Sequence, residues 1–430
     1  MRGGAATPAR RAALAILDAV RAGAPFGEAV NHAAAGLTER DRRLAYELSA
    51  GVLRRQAQLD RALDLRHADP RLHDVLRLGA YQLRCLTRVP PHAAVATSVE
   101  LARETAGEGP ARFVNQALRK LTRDTGNEKR ETDATHPRWL VERWRVRFGA
   151  ADTAKLCVWN DTKPPITLQP ARWDIDTLRD RFRRAGFGVT GAPYGAGLQV
   201  QRGEHVSRVP FPAQLPGFAE GAFIVQDPAH ALVCRFAAIP AGARVYDACA
   251  APGGKAVTLE AAGPRVVAAE VRRDRLPRLA ETGRRAGVAI RCVAADLEAA
   301  PFHPGSFDAV LVDAPCSATG TMARHPDARW RLAPGVFPRA AARQARLLAA
   351  AAPYVRPGGL LIYATCSLEP EENTAVVDDF VSRHPDFARA PVPVPGAVPA
   401  ELLTPAGDFQ SLPQRHGIDG AYAARLARRP

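Results

Sequence analysis

Asp247-Ala-Cys249-Ala-Ala-Pro252-Gly253-Gly254-Lys255 follows the short run Arg244-Val-Tyr246 and leads directly into helical sequence. A strand that breaks into glycines and restarts as a helix reads as the first unit of an open α/β sheet, whose ligands sit beyond the carboxyl ends of the strands. A phosphate-binding loop would need glycine at 249 and a hydroxyl at 256, but the chain has Cys249 and Ala256. The GxGxxG pattern of dinucleotide sites is absent from this turn. Further along, RVVAAEV, AIRCVAAD, FDAVLVDAP and GLLIYATC alternate with helical stretches, which predicts an open parallel sheet.

Each predicted strand delivers a polar group to the same edge. The second ends at Glu270, about 20 residues beyond the glycines, where a carboxylate can accept from both hydroxyls of a ribose. The third ends at Asp296, placed to receive a base amino group. Together with the loop they suit an adenosine cofactor without a triphosphate. The fourth strand ends in Asp313-Ala-Pro315-Cys316-Ser317 and the fifth in Thr365-Cys366-Ser367. If those strands are neighbours, two thiols meet over the cofactor. A thiolate near a helix N-terminus is a good nucleophile, and soft sulfur suits attack on the electron-poor C6 of a pyrimidine.

Outward from this core, residues 8–122 are helical in pattern: Ala13, Ile16, Leu17 and Val20 recur at helical spacing, as do Leu44, Leu48, Val52 and Leu53. Prolines near 70 and at 90–91 separate helices. The boundaries read as an all-α domain over 1–125, a polar linker over 126–135, a small α+β extension over 136–230, and a catalytic α/β domain over 231–430. The first segment is expected to fold alone. A final strand is expected within 419–429, after the loop-like run PVPVPGAVP at 391–399.

The chain has 430 residues, 47% of them hydrophobic and 24% charged, which excludes a disordered chain and a fibre. No apolar run approaches the roughly 18 residues of a membrane span. A formal charge of +15, carried almost wholly by arginine, points to a polyanionic partner. Seven cysteines without a CxxC pair argue against a disulfide framework and a zinc ribbon, so free thiols in a reducing cytoplasm are expected, with no metal and no membrane.

DACAAPGGK, QDPAH, DAPCSATG, ARHPDARW and YATCSLEPEEN resemble the RNA cytosine-5 methyltransferases of the NOL1/NOP2/Sun class. LDRALDL, VLRLGAYQL, VPPHAAVATSVELA and FVNQALRKL resemble the NusB antitermination factor. The similarity runs nearly end to end. It implies a Rossmann-like S-adenosylmethionine-dependent methyltransferase domain, with a NusB-like all-α RNA-binding domain before it and residues 136–230 as an RNA-binding extension. Carried over by motif, Cys249, Ala250, Ala251, Pro252, Gly253, Gly254 and Lys255 form the cofactor loop, Glu270 binds the ribose, and Asp296 lies near adenine. Asp313 stands between cofactor and target base, Cys366 matches the nucleophile, and Cys316 matches the cysteine needed for product release. Lys255 also counts among the catalytic residues. The chain departs from the family pattern at Ala256, at Glu270, and at Ala421-Tyr422, where an aromatic pair contacting RNA is frequent.

The expected function is cytosine-C5 methylation of RNA, with small-subunit rRNA or its precursor as partner and a monomer as the working form. Another rRNA or tRNA site, a DNA cytosine methyltransferase, and a non-catalytic assembly factor are the rival readings. Retention of both thiols argues against the last.

Overall fold

Apolar residues three and four apart drive the N-terminal part of the chain into helices. Among the residues described by the computed structural model (7–63, 65, 68–123, 135–203, 206, 209–392 and 396–430), these helices span Pro8–Arg21, Phe26–Ala33, Glu39–Leu63, His73–Cys85, Pro91–Ala106 and Glu108–Arg123. Ala13, Ile16, Leu17, Val20, Leu48, Val52 and Leu53 all enter one core with Val75, Leu76, Val114 and Leu118, while Leu44 is partly buried. Glu39–Leu63 can approach His73–Cys85 closely because position 51 is glycine. A Cβ there would lie 2.0 Å from Tyr81 Cζ.

The chain divides into two compact units, residues 1–163 with 322–334, and residues 164–321 with 335–430. The helix expected at 136–149 runs as Arg138–Asp161, interrupted at Gly149, and belongs to the first unit. Its Leu140, Val141 and Trp144 are buried, and the compact unit runs on to Lys163, past the expected domain boundary at 125. Thr135, expected in the linker, is buried against His136, with its Oγ1 2.8 Å from Nδ1; the rest of the expected linker lies outside the described residues.

The returning segment 322–334 carries the motif ARHPDARW, and a fully buried arginine explains its place. Arg329 Nη1 donates to Asp161 Oδ1 at 2.8 Å and to the carbonyls of Arg54 and Thr135, each at 3.3 Å, while Nη2 donates to the Asn160 carbonyl at 2.8 Å. Trp330 Nε1 adds a bond to the Leu53 carbonyl at 2.6 Å. A segment ending at residue 122 contains, of these partners, only the carbonyls of Leu53 and Arg54.

In the second unit a four-stranded antiparallel sheet comes first. Its strands are β1 (Ile166–Pro170), β2 (Gly188–Gly191), β3 (Leu198–Gln201) and β4 (Phe223–Val225), in the order β2-β3-β1-β4. The helix Ile175–Arg184, capped by Asp174, buries Leu178 and Phe182 against Leu168, Leu198 and Phe223.

The larger sheet follows: β5 (Arg244–Asp247), β6 (Arg265–Glu270), β7 (Arg291–Ala294), β8 (Phe307–Asp313), β9 (Val355–Thr365), β10 (Phe387–Arg389), β11 (Phe409–Ser411) and β12 (Ala421–Arg428). The order β10-β12-β9-β8-β5-β6-β7 keeps β5 to β9 parallel, as predicted, and adds β12 antiparallel to β9. The chain reverses direction across β5, which places a crevice between the carboxyl ends of β5 and β8. β12 fulfils the expected final strand, but Tyr422 is fully buried, its hydroxyl donating to Asp408 Oδ2 at 2.6 Å. It is a core residue and does not replace an RNA-contacting aromatic. No helix among the described residues is long and apolar enough to cross a membrane.

Removing Arg329 would leave Asp161 and three carbonyls short of a donor in a buried setting. Arg329→Ala is expected to cost about 3 kcal/mol or more, read as a lower urea midpoint for the transition of the helical unit.

Candidate active site

The loop between β5 and the helix Gly254–Ala261 is pinned by short backbone bonds: Ala250 N donates to the Ala269 carbonyl at 2.9 Å, and Gly253 N to the Ala250 carbonyl at 2.7 Å. Gly253 is required here, since its φ of +105° lies in the left-handed region and a Cβ would come within 2.9 Å of Leu279 Cδ1. Cys249 and Ala251 are partly buried, Ala250 is buried, and Pro252 is exposed. Burial, followed by the charges of Asp247 and Asp313, drives the Cys249 thiol far above its ordinary range, so it has no thiolate character. Ala256 packs in the core beside Leu259 and Ala268, which explains why no hydroxyl is needed there.

Lys255 turns its ammonium away from solvent. Nζ donates to Asp313 Oδ2 at 2.6 Å and lies 3.1 Å from His230 Nδ1. Burial disfavours the ammonium, but the Asp313 carboxylate more than offsets it, and the lysine is held above its ordinary value. The ammonium and the Cys366 thiol also interact electrostatically. His230 was not singled out in the sequence, although it closes the motif QDPAH; that motif also supplies Asp227, which caps the helix Pro228–Ala237.

Asp247 is fully buried at the end of β5, and no well-formed hydrogen bond reaches either carboxylate oxygen. Burial, reinforced by Asp313, pushes its pKa up to about 7, against the weaker pull of Lys255 and the Cys249 N–H. Glu270, at the end of β6, is buried, with Oε1 accepting from Arg272 N at 2.9 Å. Asp296 is exposed just beyond β7, and its Oδ1 caps the short turn Leu297–Ala299 through Glu298 N at 3.1 Å. These three carboxylates stand at consecutive strand ends, as the sequence pattern requires, and can hold a nucleoside carrying positive charge.

Cys316 and Cys366, 50 residues apart, meet at the ends of β8 and β9 with Sγ atoms 3.2 Å apart. Contact with Cys366, followed by burial, holds the Cys316 thiol well above the usual range. Neither cysteine stands at a helix N-terminus, contrary to the expected mode of activation. Cys316 leads into the short turn Thr319–Thr321, and after Cys366 a single 3-10 turn, Pro370–Glu372, precedes the α-helix that starts at Thr374. The two turns are also joined directly, Gly320 N donating to the Cys366 carbonyl at 2.9 Å. A buried group missed in the sequence, Glu372, lies beneath both turns.

Three family models match the chain: 16S rRNA methyltransferase RsmB/F over residues 238–427, the NusB family over 7–123, and a ferredoxin-like domain of RsmF/B-like methyltransferases over 136–207. The chain is 32% identical to the probable ribosomal RNA small subunit methyltransferase B of Synechocystis, across 91% of this chain and 92% of that protein. It is 33% identical to ribosomal RNA small subunit methyltransferase B of Salmonella arizonae, across 97% and 98%. Among solved structures, PH0851 superposes with a TM-score of 0.80 at 23% identity over 99% of this chain and 100% of that one. NSun6 from Pyrococcus horikoshii superposes with 0.56 at 17% identity over 68% and 98%. At those identities the structures establish the fold alone.

A carboxyl group whose pKa rises on folding gives stability that is full below the unfolded value near 4 and is lost as pH climbs through about 7. The difference in unfolding free energy between the native protein and Asp247→Asn should therefore shift by about 4 kcal/mol between pH 4 and pH 8, against the native protein at the higher pH. Urea unfolding of both proteins across that range measures it, and parallel curves would remove Asp247 as the source.

Proposed function

The chain belongs to the RsmB/F family of 16S rRNA methyltransferases, and on that footing we propose that it is an S-adenosylmethionine-dependent cytosine-C5 methyltransferase acting on 16S rRNA, at a cytosine of the position-967 type. The observation that carries this reading is the 3.2 Å approach of the Cys316 and Cys366 sulfurs at the ends of adjacent strands, next to the Lys255–Asp313 pair. Two free thiols this close suit a reaction in which one sulfur adds to a ring carbon and the other assists its departure.

The residues at the β5, β6 and β7 ends fit S-adenosylmethionine. Asp247, buried without a well-formed partner, suits a cationic ligand, Glu270 suits ribose hydroxyls, and the exposed carboxylate of Asp296 suits the adenine amino group. The loop Cys249-Ala250-Ala251-Pro252-Gly253-Gly254 supplies backbone groups beside them. When bound, the cofactor supplies an electrophilic methyl group.

The Cys366 sulfur, after losing its proton, bonds to C6 of the cytosine and sends electron density to C5 and the N3 edge. Asp313, fixed by Lys255, accepts from the cytosine N4 amino group and orients the base, and the Lys255 ammonium beside it offsets the negative charge developing on the ring. C5 then takes the methyl group, a base removes the C5 proton, and the electrons of that bond expel Cys366 from C6. Cys316, beside the leaving sulfur, assists this last step. The cytosine has to leave its stack to reach the thiols, which favours single-stranded or loop RNA. The +15 charge supports binding to the RNA backbone, and we assign RNA contacts to the NusB-like unit and to the β1–β4 module as well. The enzyme works as a monomer in the reducing cytoplasm, where its thiols stay free.

Glu270→Ala should weaken S-adenosylmethionine by roughly 1–3 kcal/mol, measured by titration calorimetry; unchanged affinity would remove Glu270 from the site.

Cysteine substitutions separate the two chemical roles. Cys366→Ala should abolish methyl transfer while leaving RNA and cofactor binding largely intact. Cys316→Ala should permit attack and slow elimination, leaving a ribonuclease-sensitive slow band on denaturing gels that requires Cys366. The reverse pattern would assign the nucleophile to the Pro-Cys turn, as in DNA cytosine methyltransferases.

A further inference from the structure

Beneath the two cysteine turns, Glu372 is fully buried and its carboxylate is saturated with donors. Oε1 accepts from the hydroxyls of Ser317 and Ser367, the latter at 2.7 Å. Oε2 accepts from the Ser317 N–H and from Gln344 Nε2, both at 2.9 Å. Gln344 in turn donates to the Pro315 carbonyl at 3.0 Å, so it braces the residue before Cys316. Four donors fill the four acceptor directions of one carboxylate. Ser317 immediately follows Cys316, and Ser367 immediately follows Cys366.

The Cys316 turn has reason to need such a clamp. Ala318, two residues on, is held at φ +57°, a left-handed conformation that is unfavourable for a non-glycine residue. Left to itself, that turn would relax and carry Cys316 with it. Two further bonds close the arrangement: Leu368 N donates to Thr319 Oγ1 at 2.8 Å, and the Tyr363 hydroxyl donates to the Glu372 carbonyl at 2.6 Å. A group bonded to the neighbour of each cysteine, and held by a third element, fixes where both sulfurs stand.

We propose that Glu372 is a positioning residue that acts through Ser317 and Ser367 to hold the Cys316 and Cys366 sulfurs at reacting distance. The proposal rests on the assignment of both thiols to the methyl-transfer chemistry, and its test reads the thiol geometry separately from that chemistry. In Glu372→Gln the side chain keeps its shape, but one oxygen becomes an NH2 group facing donors, and at least one clamp bond is lost.

The full-length protein is treated with diamide, a diazene-dicarboxamide oxidant. Two thiols lose their protons and two electrons to form one disulfide, and the N=N bond is reduced to a hydrazine. The rate of the Cys316–Cys366 disulfide is followed by mass spectrometry of the linked peptides. The native protein should couple this pair fastest among its cysteines, and Glu372→Gln should slow it at least tenfold. In parallel, single-turnover methyl transfer to unmodified 16S rRNA should fall about 100-fold, with cofactor and RNA affinities within twofold of native, because a displacement of about 1 Å at a reacting atom costs that much. Ser367→Ala, which deletes one clamp bond, should show the same pattern in weaker form and stands in if the first variant fails to fold. Native coupling rates in the folded variants, whether or not their thermal midpoints drop, overturn the proposal. Slower coupling with unchanged methyl transfer supports the clamp and overturns the role given to the cysteines.

Discussion

Parallel pairing of β8 with β9, which sets Asp313 opposite Ala364, is the constraint on which the site depends. Strands that run the same way open their carboxyl ends on one edge, so the turns after Asp313 and Thr365 emerge side by side. Sequence distance becomes irrelevant at that edge, and two sulfurs 50 residues apart come within 3.2 Å. Register matters as much as direction, because a slip of one residue would turn every side chain of a strand to the other face of the sheet. β12 guards the register from the far side, pairing antiparallel with β9 from Leu360 to Thr365.

The charge balance of the crevice follows from the same edge. Asp247, Glu270 and Asp313 converge there, and Lys255 is the ammonium that answers them, bonded to Asp313 and not to Asp247, whose oxygens have no well-formed hydrogen bond. Burial and mutual repulsion together account for the raised pKa of Asp247. An arrangement of this kind has spare negative potential, and a ligand that brings a positive charge relieves it. The electrostatics thus favour a cationic methyl donor over a phosphate-bearing nucleotide, in keeping with the missing hydroxyl at Ala256.

Much of this was legible in the sequence because the chemistry is local to strand ends. Glu270, Asp313, Cys316 and Cys366 follow short aliphatic runs whose order in the sheet is governed by simple topological rules. His230 and Glu372 were not legible in the same way. Each acts through a partner far along the chain, Lys255 for one and Ser317 for the other, and no periodicity marks such a pairing. Asp296 illustrates the opposite: the pattern places it at a strand end, while its observed hydrogen bond, as the cap of a short turn, is common for an acidic residue in any such position. The NusB family match ends at 123, as the boundary near 125 expects, but the compact unit runs on, because polarity and proline mark where a chain becomes irregular and not where a core ends. Trp144 and Arg329 decide that, and both lie beyond the polar stretch.

The return of Met322–Pro334 to the helical unit has a consequence for the order in which the protein can be completed. The unit that begins at the N-terminus receives its deeply buried guanidinium from residue 329, so synthesis must pass well into the methyltransferase sheet before the first-made part can close. Growing chains therefore carry an N-terminal bundle with an open socket, filled only once β8 and the turn beyond it have left the ribosome. For the same reason the helical unit is not a detachable cassette: exchanging it with another protein would require two cuts in the gene, one of them inside the catalytic sequence.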